Sequence, residues 1–211
     1  MRAFGYDLDT LVVAHVVLAV VPVLIGLVIA LPIGWGAHRS RALRAVLVPL
    51  TGALYTIPSL ALIVAMPLIL GTGFLSPLNV GVALTIYAVA LLVRSVVDAL
   101  DAVPPAVTTA AVAVGYRRAG LLLGVQLPLA VPVLVAGVRV ASVSSFSLVT
   151  VGALVGIDSL GSLMTSGFEQ SYPLMITVAI VGVLLLAFTF DALWLLLGRV
   201  LAPWNRVRTG A

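Results

Sequence analysis

The chain has 211 residues, of which 63% are hydrophobic and 9% are charged. Water-soluble domains are about 45–50% apolar and about 25% charged, and a fold of this length leaves much of its surface in water. The composition therefore excludes a soluble enzyme, a disordered chain and a fibrous chain. It predicts an all-α, polytopic membrane protein with one transmembrane domain over residues 1–211.

The formal net charge of +4 comes from 11 arginines, with no lysine, against 7 acidic residues. An excess of positive charge indicates nucleic-acid binding only when the basic residues cluster on one face. These arginines are spread along an apolar chain, so we expect the lipid bilayer and no nucleic acid as a partner. There is no cysteine, and His15 and His38 are far apart, so we expect no metal site.

Five stretches are long and apolar enough to cross a bilayer, which takes about 20 residues of helix. They cover residues 11–37, 46–70, 78–97, 129–151 and 173–200. The first stretch is longer than the apolar region of a signal peptide, so we expect a retained span.

The arginines indicate how these spans are oriented, because cytoplasmic loops are enriched in basic residues. The connections after the second and fourth spans carry no arginine. An N-terminus outside and a C-terminus inside the cell places nine arginines at the cytoplasmic face. These nine are Arg39, Arg41, Arg44, Arg94, Arg117, Arg118, Arg199, Arg206 and Arg208.

The connection between the third and fourth spans, residues 98–128, is too polar to cross the bilayer and longer than a tight loop needs to be. Pro104 and Pro105 predict the start of a short helix, and Gly115 predicts its end. A short cytosolic helix on a rigid stalk suits docking of another protein. The alternative is a helix that lies on the lipid surface.

This connection carries a motif with defined spacing. Thr109-Ala110-Ala111, three residues, Gly115, nine residues and Val125-Gln126-Leu127-Pro128 resemble the cytoplasmic signature of permeases of bacterial ATP-binding-cassette (ABC) importers. In that family the pattern is Glu-Ala-Ala, three residues, Gly, nine residues and Ile-x-Leu-Pro. Thr109 replaces the glutamate, which removes an anionic group that could meet an arginine on the ATPase. Val125 replaces the isoleucine, which is a mild change.

Further segments are similar to the permeases of osmoprotectant importers, which carry glycine betaine, carnitine or choline. The most telling is Tyr55-Thr56-Ile57-Pro58-Ser59-Leu60-Ala61-Leu62, which is similar to their second-span motif. The others are Ile86–Ala88, Leu91–Ser95, Leu127–Val133, Ala136–Arg139 and Ala153–Gly161. The resemblance covers about half of the chain, from Tyr55 to Gly161, and favours osmoprotectants over methionine or other amino acids.

The resemblance implies a non-catalytic permease subunit with a defined set of partners. Two permease subunits, identical or paralogous, would form the pathway, two copies of an ATP-binding subunit would bind at the cytoplasmic face, and an extracellular or periplasmic solute-binding protein would deliver the solute. ATP and magnesium would be bound by the partner ATPase, and we expect no cofactor in this chain. It has no phosphate-binding loop of the Gly-x-x-x-x-Gly-Lys type. The residues implied to couple to the ATPase are Thr109, Ala110, Ala111, Gly115, Leu127 and Pro128.

Two alternatives remain open from the sequence. One is a permease for methionine or another small amino acid, and the other is a membrane scaffold that transports nothing.

Hydroxyl side chains are the candidates for a polar transport pathway. Aromatic cages recognise quaternary ammonium groups, but only 7% of the residues are aromatic and the sequence shows no clear aromatic cluster. We therefore expect tight recognition in the binding protein and a weakly polar path in the permease. The alternative role for these hydroxyls is a bond to their own or a neighbouring helix. The candidates are Thr56, Ser59, Ser142, Ser144, Ser145, Ser147 and Thr150.

Arg139 is also a candidate pathway residue, because it lies inside the predicted fourth span, where a cation is costly and faces protein or water. Its side chain could reach the inner interface, pair with Asp98 or Asp101, or line an inner vestibule. We expect Asp191, in the fifth span, to make a polar contact with another helix. We expect His15 to be packed.

Overall fold

The computed structural model describes residues 2–3 and 5–204. A short antiparallel hairpin of β1 (Arg2–Ala3) and β2 (Tyr6–Asp7) precedes a helical chain. Within the described residues the α-helices are α1 (Leu8–Arg39), α2 (Arg41–Tyr55), α3 (Ser59–Leu70), α4 (Pro77–Asp101), α5 (Pro105–Ala113), α6 (Arg118–Leu121), α7 (Leu127–Gly152), α8 (Leu160–Glu169) and α9 (Pro173–Leu201). A π-helical turn (Leu122–Gln126) leads into α7, and a 3-10 turn (Ala153–Val155) follows it.

Four helical segments of the described chain are long and apolar enough to cross a membrane: α1, α4, α9 and the continuous segment 118–155 that contains α7. The bent pair α2 and α3 makes a fifth crossing if it counts as one span. The all-α fold with about five spans is therefore confirmed. Arg206 and Arg208 lie outside the described residues.

The second predicted span, residues 46–70, is not one straight helix. The chain bends by 102° between α2 and α3, and α2 already begins at Arg41. Pro58 explains the position of the break, because proline lacks an N–H donor and disfavours helical geometry in the residue before it. Pro58 caps α3 without a side-chain hydrogen bond.

The centre of the fold is the contact between α1 and α4, which run in the same direction. Glycines on α1 permit this close packing, as small residues do between membrane helices. A Cβ added to Gly26 would lie 2.6 Å from the Cβ of Ala88, and one added to Gly34 would lie 2.6 Å from the Cβ of Val96. Neither position therefore has room for a side chain.

Helix α7 runs antiparallel to α4 and packs on both α1 and α4. Its Gly137 faces Ser95 and its Gly152 faces Val80, at opposite ends of α4. Phe146 is fully buried at the centre of this packing. Ser142 and Ser145 of α7 are also buried, whereas Ser147 is exposed.

Helix α8 lies in the connection between the fourth and fifth predicted spans, where the sequence analysis named no helix. The helix begins with a capping box, in which Ser159 accepts from the Gly161 N–H and the Ser162 hydroxyl accepts from the Ser159 N–H. This Ser-x-x-Ser pattern is a weaker signal than the usual Ser-x-x-Glu. Gly167 then allows α8 to pack closely on Met175 and Ile176 of α9.

Candidate functional site

Helix α5, predicted as the docking element, lies at the protein surface. None of its residues is buried. Val107 and Val112 expose 39% and 56% of their surface, and Val114, which caps the helix, exposes 82%. Isolated helices shorter than about 12–15 residues are marginal in water, so a nine-residue helix with an uncovered apolar surface is suited to a partner.

Gly115 ends α5, as predicted, and the geometry requires glycine. Its φ angle is +100°, in the left-handed region. The Gly115 N–H donates to the carbonyl of Val112, and the Tyr116 N–H donates to the carbonyl of Ala111. These two bonds form a Schellman motif. They fix the corner between α5 and the segment that follows.

The chain restarts at α6 and runs into α7 through the π-helical turn. The Tyr116 ring lies over this segment, because a Cβ added to Gly120 or Gly124 would be 3.7 Å or 3.4 Å from ring atoms of Tyr116. Pro128 explains the π turn, since it cannot donate to the Gly124 carbonyl four residues earlier. The corner at Gly115 is therefore attached to a continuous helical rod that extends to the C-terminal end of α7.

An ion cluster joins the end of α1, the start of α2 and the end of α4. Asp101, at the end of α4, lies 2.7 Å from His38 Nδ1 and, through its second oxygen, 2.7 Å from an Nη of Arg44. Asp98 lies 3.9 Å from Arg94 on the exposed face of α4. Both aspartates are thus paired with groups other than Arg139.

A pair with Asp98 or Asp101 was one of three alternatives for Arg139, and the structure shows a different partner. Arg139 Nε and Nη2 each donate to a carboxylate oxygen of Asp191 at 2.7 Å, which joins α7 to α9. The planar guanidinium matches a carboxylate in this two-bond geometry. The expected polar contact of Asp191 with another helix is confirmed.

Most of the predicted pathway hydroxyls make helix contacts. Ser142 accepts from Trp194 Nε1 at 3.2 Å, and Ser145 donates to the Ala19 carbonyl at 2.8 Å. Thr56 and Thr150 each donate to a carbonyl three residues earlier. Ser59 is half-buried at the start of α3, and Ser147 is exposed. Four of these hydroxyls therefore bond to their own or a neighbouring helix, which was the alternative to a pathway role.

His15 is fully buried, as expected for a packed residue. Its Nε2 lies 3.1 Å from the Phe146 carbonyl, and its ring stacks on the Phe146 ring with 5.9 Å between centroids. Together with the bond from Ser145 to Ala19, this contact gives α1 and α7 two reciprocal side-chain to backbone links.

The structure shows an aromatic pair that the sequence interpretation missed. The rings of Tyr55 and Tyr87 meet at 90° with 5.8 Å between centroids, and the Tyr87 hydroxyl donates to the Ile57 carbonyl at the break between α2 and α3. Ser144 and Ser145 of α7 line the same crevice. The two tyrosines are far apart in sequence and belong to different helices, so spacing gave no signal.

Comparison with protein families decides the identity of the chain. The family described as binding-protein-dependent transport system inner membrane component matches residues 8–206. The chain belongs to this family. The predicted resemblance to the permeases of ABC importers is therefore confirmed, and the protein is an inner-membrane permease subunit of that class.

Curated relatives of this permease include several named for osmoprotectants. It is 28% identical to the choline transport system permease protein OpuBD of Bacillus subtilis, over 93% of this chain and 86% of that one. It is 31% identical to the osmoprotectant import permease protein OsmW of Salmonella typhimurium, over 91% and 89%. It is 31% identical to the glycine betaine/proline betaine permease ProW of Escherichia coli, over 82% of this chain and 48% of that protein.

Solved structures show that the permease shares its fold with other transporters of the class. A chain of the inward-facing MetNI methionine ABC transporter superposes with a TM-score of 0.81 at 22% identity, over 92% of this chain and 96% of that chain. A chain of an amino acid ABC transporter crystallised with histidines gives 0.74 at 17% identity, over 91% and 92%.

Proposed function

We propose that this permease carries a quaternary ammonium osmoprotectant, such as glycine betaine, carnitine or choline, into the cell. The observation that carries the proposal is the similarity, over more than nine-tenths of the chain, to permeases named for choline and for osmoprotectants. Transport is driven by ATP that a partner subunit hydrolyses with magnesium, since the chain has no phosphate-binding loop of its own.

Helix α5 is the docking element for the ATP-binding subunit in this proposal. Its uncovered valines support an apolar contact, and Thr109 is exposed at the position where the family motif has glutamate. Two copies of the ATP-binding subunit would each hold one such helix. Docking at this subunit then proceeds without the anionic group that glutamate would supply.

Motion at α5 reaches the pathway through the rod that contains α7. The Schellman corner at Gly115 and the Tyr116 ring fix α5 relative to residues 118–155. Leu127 and Pro128 lie within this rod, at the start of α7. A rigid-body shift of α5 therefore moves α7 and its hydroxyls relative to α4, which is the kind of motion that alternating access needs.

The same arrangement supports an N-terminus outside and a C-terminus inside the cell. Helices α1 and α4 run parallel and end at the cluster of His38, Arg44 and Asp101. The basic connections then lie together at one end of the bundle, which supports a cytoplasmic location by the positive-inside rule. The N-terminus and α8 are outside, on the side where a solute-binding protein delivers its solute.

Reconstitution of the whole transporter tests this function. The permease is assembled in liposomes with its ATP-binding subunit, its second permease subunit and its solute-binding protein, and uptake of radiolabelled choline, glycine betaine, carnitine, proline and methionine is measured with ATP or a non-hydrolysable analogue. We expect uptake of the quaternary ammonium solutes only with ATP and binding protein. Uptake of methionine alone would favour the amino-acid alternative, and an intact complex that transports none would favour a scaffold.

A further inference from the structure

A crevice beside the break between α2 and α3 brings together two aromatic rings and hydroxyl groups. Tyr87 forms its buried wall, with 5% of its surface exposed, and Tyr55 lies at its mouth with 45% exposed. Ser144, from α7, lines the third side and is half-buried. Among the described residues the Ser144 side chain has no hydrogen-bond partner, in contrast to Ser142 and Ser145.

The backbone around the crevice indicates that this face is not covered by lipid. Residues 56–58 interrupt a span and are exposed in this chain. Non-helical backbone at membrane depth is tolerated only where protein covers it or where it lines a water-filled cavity. The mouth of the crevice, next to Thr56 and Pro58, therefore faces a protein interface or an aqueous path.

The chemistry of the crevice suits a large, weakly hydrated cation. The electron-rich faces of tyrosine rings attract quaternary ammonium groups, which cannot donate hydrogen bonds. The residues that line the crevice carry no charge: besides the tyrosines and serines they are Leu84, Ala88, Leu91, Ala141 and Leu148. A site without a carboxylate holds a cation weakly, and a solute in transit must also be able to leave.

We propose that Tyr55, Tyr87 and Ser144 form a transient subsite for the quaternary ammonium group of the transported solute. The inference rests on the proposed function for the identity of the solute. The aromatic rings hold the methyl groups, and the unpaired Ser144 hydroxyl donates to the oxygen-bearing end of the same molecule.

The subsite is closed in this structure. The crevice holds about 10 Å³, room for about one water molecule, and a trimethylammonium group is several times larger. Its walls come from three separate elements: the end of α2, the middle of α4 and the outer half of α7. Movement of α7 against α4 opens the crevice, so the cation binds during only part of the transport cycle.

Direct binding to the transporter tests the subsite. The permease in complex with its ATP-binding subunits, without the solute-binding protein, is placed in nanodiscs and titrated with tetramethylammonium chloride under saturation-transfer NMR. The titration is repeated without nucleotide, with an ATP analogue and with vanadate-trapped nucleotide. We expect methyl saturation in at least one state, and a far weaker signal from tert-butanol, which is neutral and similar in shape.

Four variants separate the role of the ring face from effects on folding. Tyr55→Leu removes the ring from a half-exposed position, and we expect it to weaken tetramethylammonium binding by about fivefold or more. Tyr55→Phe and Tyr87→Phe keep the ring face and retain binding. Phe188→Leu removes an aromatic ring that is 69% exposed on α9, and it also retains binding. A melting temperature for each variant shows that the complex is folded.

The results distinguish a failure of the subsite from a failure of the proposed function. Three results would overturn the subsite, whatever the transporter carries. They are a tetramethylammonium signal that is absent in every nucleotide state, one that is unchanged in Tyr55→Leu, and one that tert-butanol matches. A wild-type complex could carry methionine and no quaternary ammonium solute while its tetramethylammonium binding still depended on Tyr55. That result would overturn the proposed function and leave the subsite standing. Choline uptake that is lowered in Tyr55→Leu and unchanged in Phe188→Leu supports both.

Discussion

Arg139 and Asp191 form a two-bond ion pair between α7 and α9, with both nitrogen to oxygen distances at 2.7 Å. Both residues lie within membrane-spanning helices, where water does not compensate a lone charge. Three residues further along both helices, Trp194 donates to Ser142, so two polar contacts link the same faces. The pair neutralises two charges that would otherwise be isolated in the bilayer.

Removing one member of this pair is expected to reduce folding, because the other charge is left without a partner. We predict that Arg139→Leu and Asp191→Leu each lower the amount of permease in the membrane several-fold. The double variant Arg139→Leu/Asp191→Leu should recover most of the wild-type amount, since an apolar pair leaves no charge unpaired. Quantitative immunoblots of membranes and ATP-driven uptake per molecule measure both effects.

Arg94→Leu is the matched control, because Arg94 is exposed on α4 and lies 3.9 Å from Asp98. Exposed pairs of this kind contribute little to stability, so its abundance should stay close to wild type. A double variant as scarce as the single ones would show that the ion pair itself, and not charge balance, is required.

The ion pair illustrates which features the sequence could predict. The spans follow from the length of the apolar stretches. The short helix in the connection 98–128 follows from Pro105 at its start and Gly115 at its end. The partner of Arg139 depends on which helix packs beside α7, and this is a property of the tertiary structure. Asp98 and Asp101 were possible partners from the sequence, but they pair with Arg94, and with His38 and Arg44.

The same limit applies to the candidate pathway. The sequence showed only that α7 carries hydroxyl side chains that could line a path. In the structure Ser142 and Ser145 bond to other helices, and Ser144 does not. The break at Pro58 was visible only as one proline among several in the spans. The chain bends there by 102°, and α3 packs against α4.

Gly115 is expected to be essential for coupling. An L-residue at φ +100° is strained by about 1–2 kcal/mol, so Gly115→Ala or Gly115→Asp should distort the corner between α5 and α6. We predict that co-purification of the ATP-binding subunit weakens by about fivefold or more, while membrane abundance of the permease changes little. Gly115→Asn should be milder, because asparagine tolerates left-handed geometry.

Gly120→Ala provides the comparison for Gly115. A Cβ there would lie 3.7 Å from the Tyr116 ring, which is an ordinary contact. Its ATPase co-purification should match wild type. Normal co-purification and uptake by Gly115→Asp would remove α5 as the docking element.

Close packing of α1 on α4 predicts opposite effects for two neighbouring glycines. A Cβ at Gly34 would lie 2.6 Å from Val96, whereas one at Gly36 would lie 3.8 Å from Leu43. Gly34→Ala should lower stability by about 1–3 kcal/mol through overpacking. Gly36→Ala should raise it by up to about 1 kcal/mol, because alanine favours the helix. Thermal unfolding in detergent tests this, and equal melting temperatures for the two variants would contradict the close packing of Gly34 on Val96.

Ser144 and Ser145 are adjacent in α7 but should behave differently when changed to alanine. Ser145→Ala removes a buried bond to the Ala19 carbonyl, and such bonds contribute about 0.6 kcal/mol in membrane proteins. We predict a slightly lower melting temperature with normal uptake per folded molecule. Ser144→Ala removes a hydroxyl that no described residue uses, so stability should be unchanged and uptake lower. Exposed Ser147 serves as the control, and Ser147→Ala should change neither quantity. If Ser145→Ala lowered uptake per folded molecule and Ser144→Ala did not, Ser144 would have no role in the pathway.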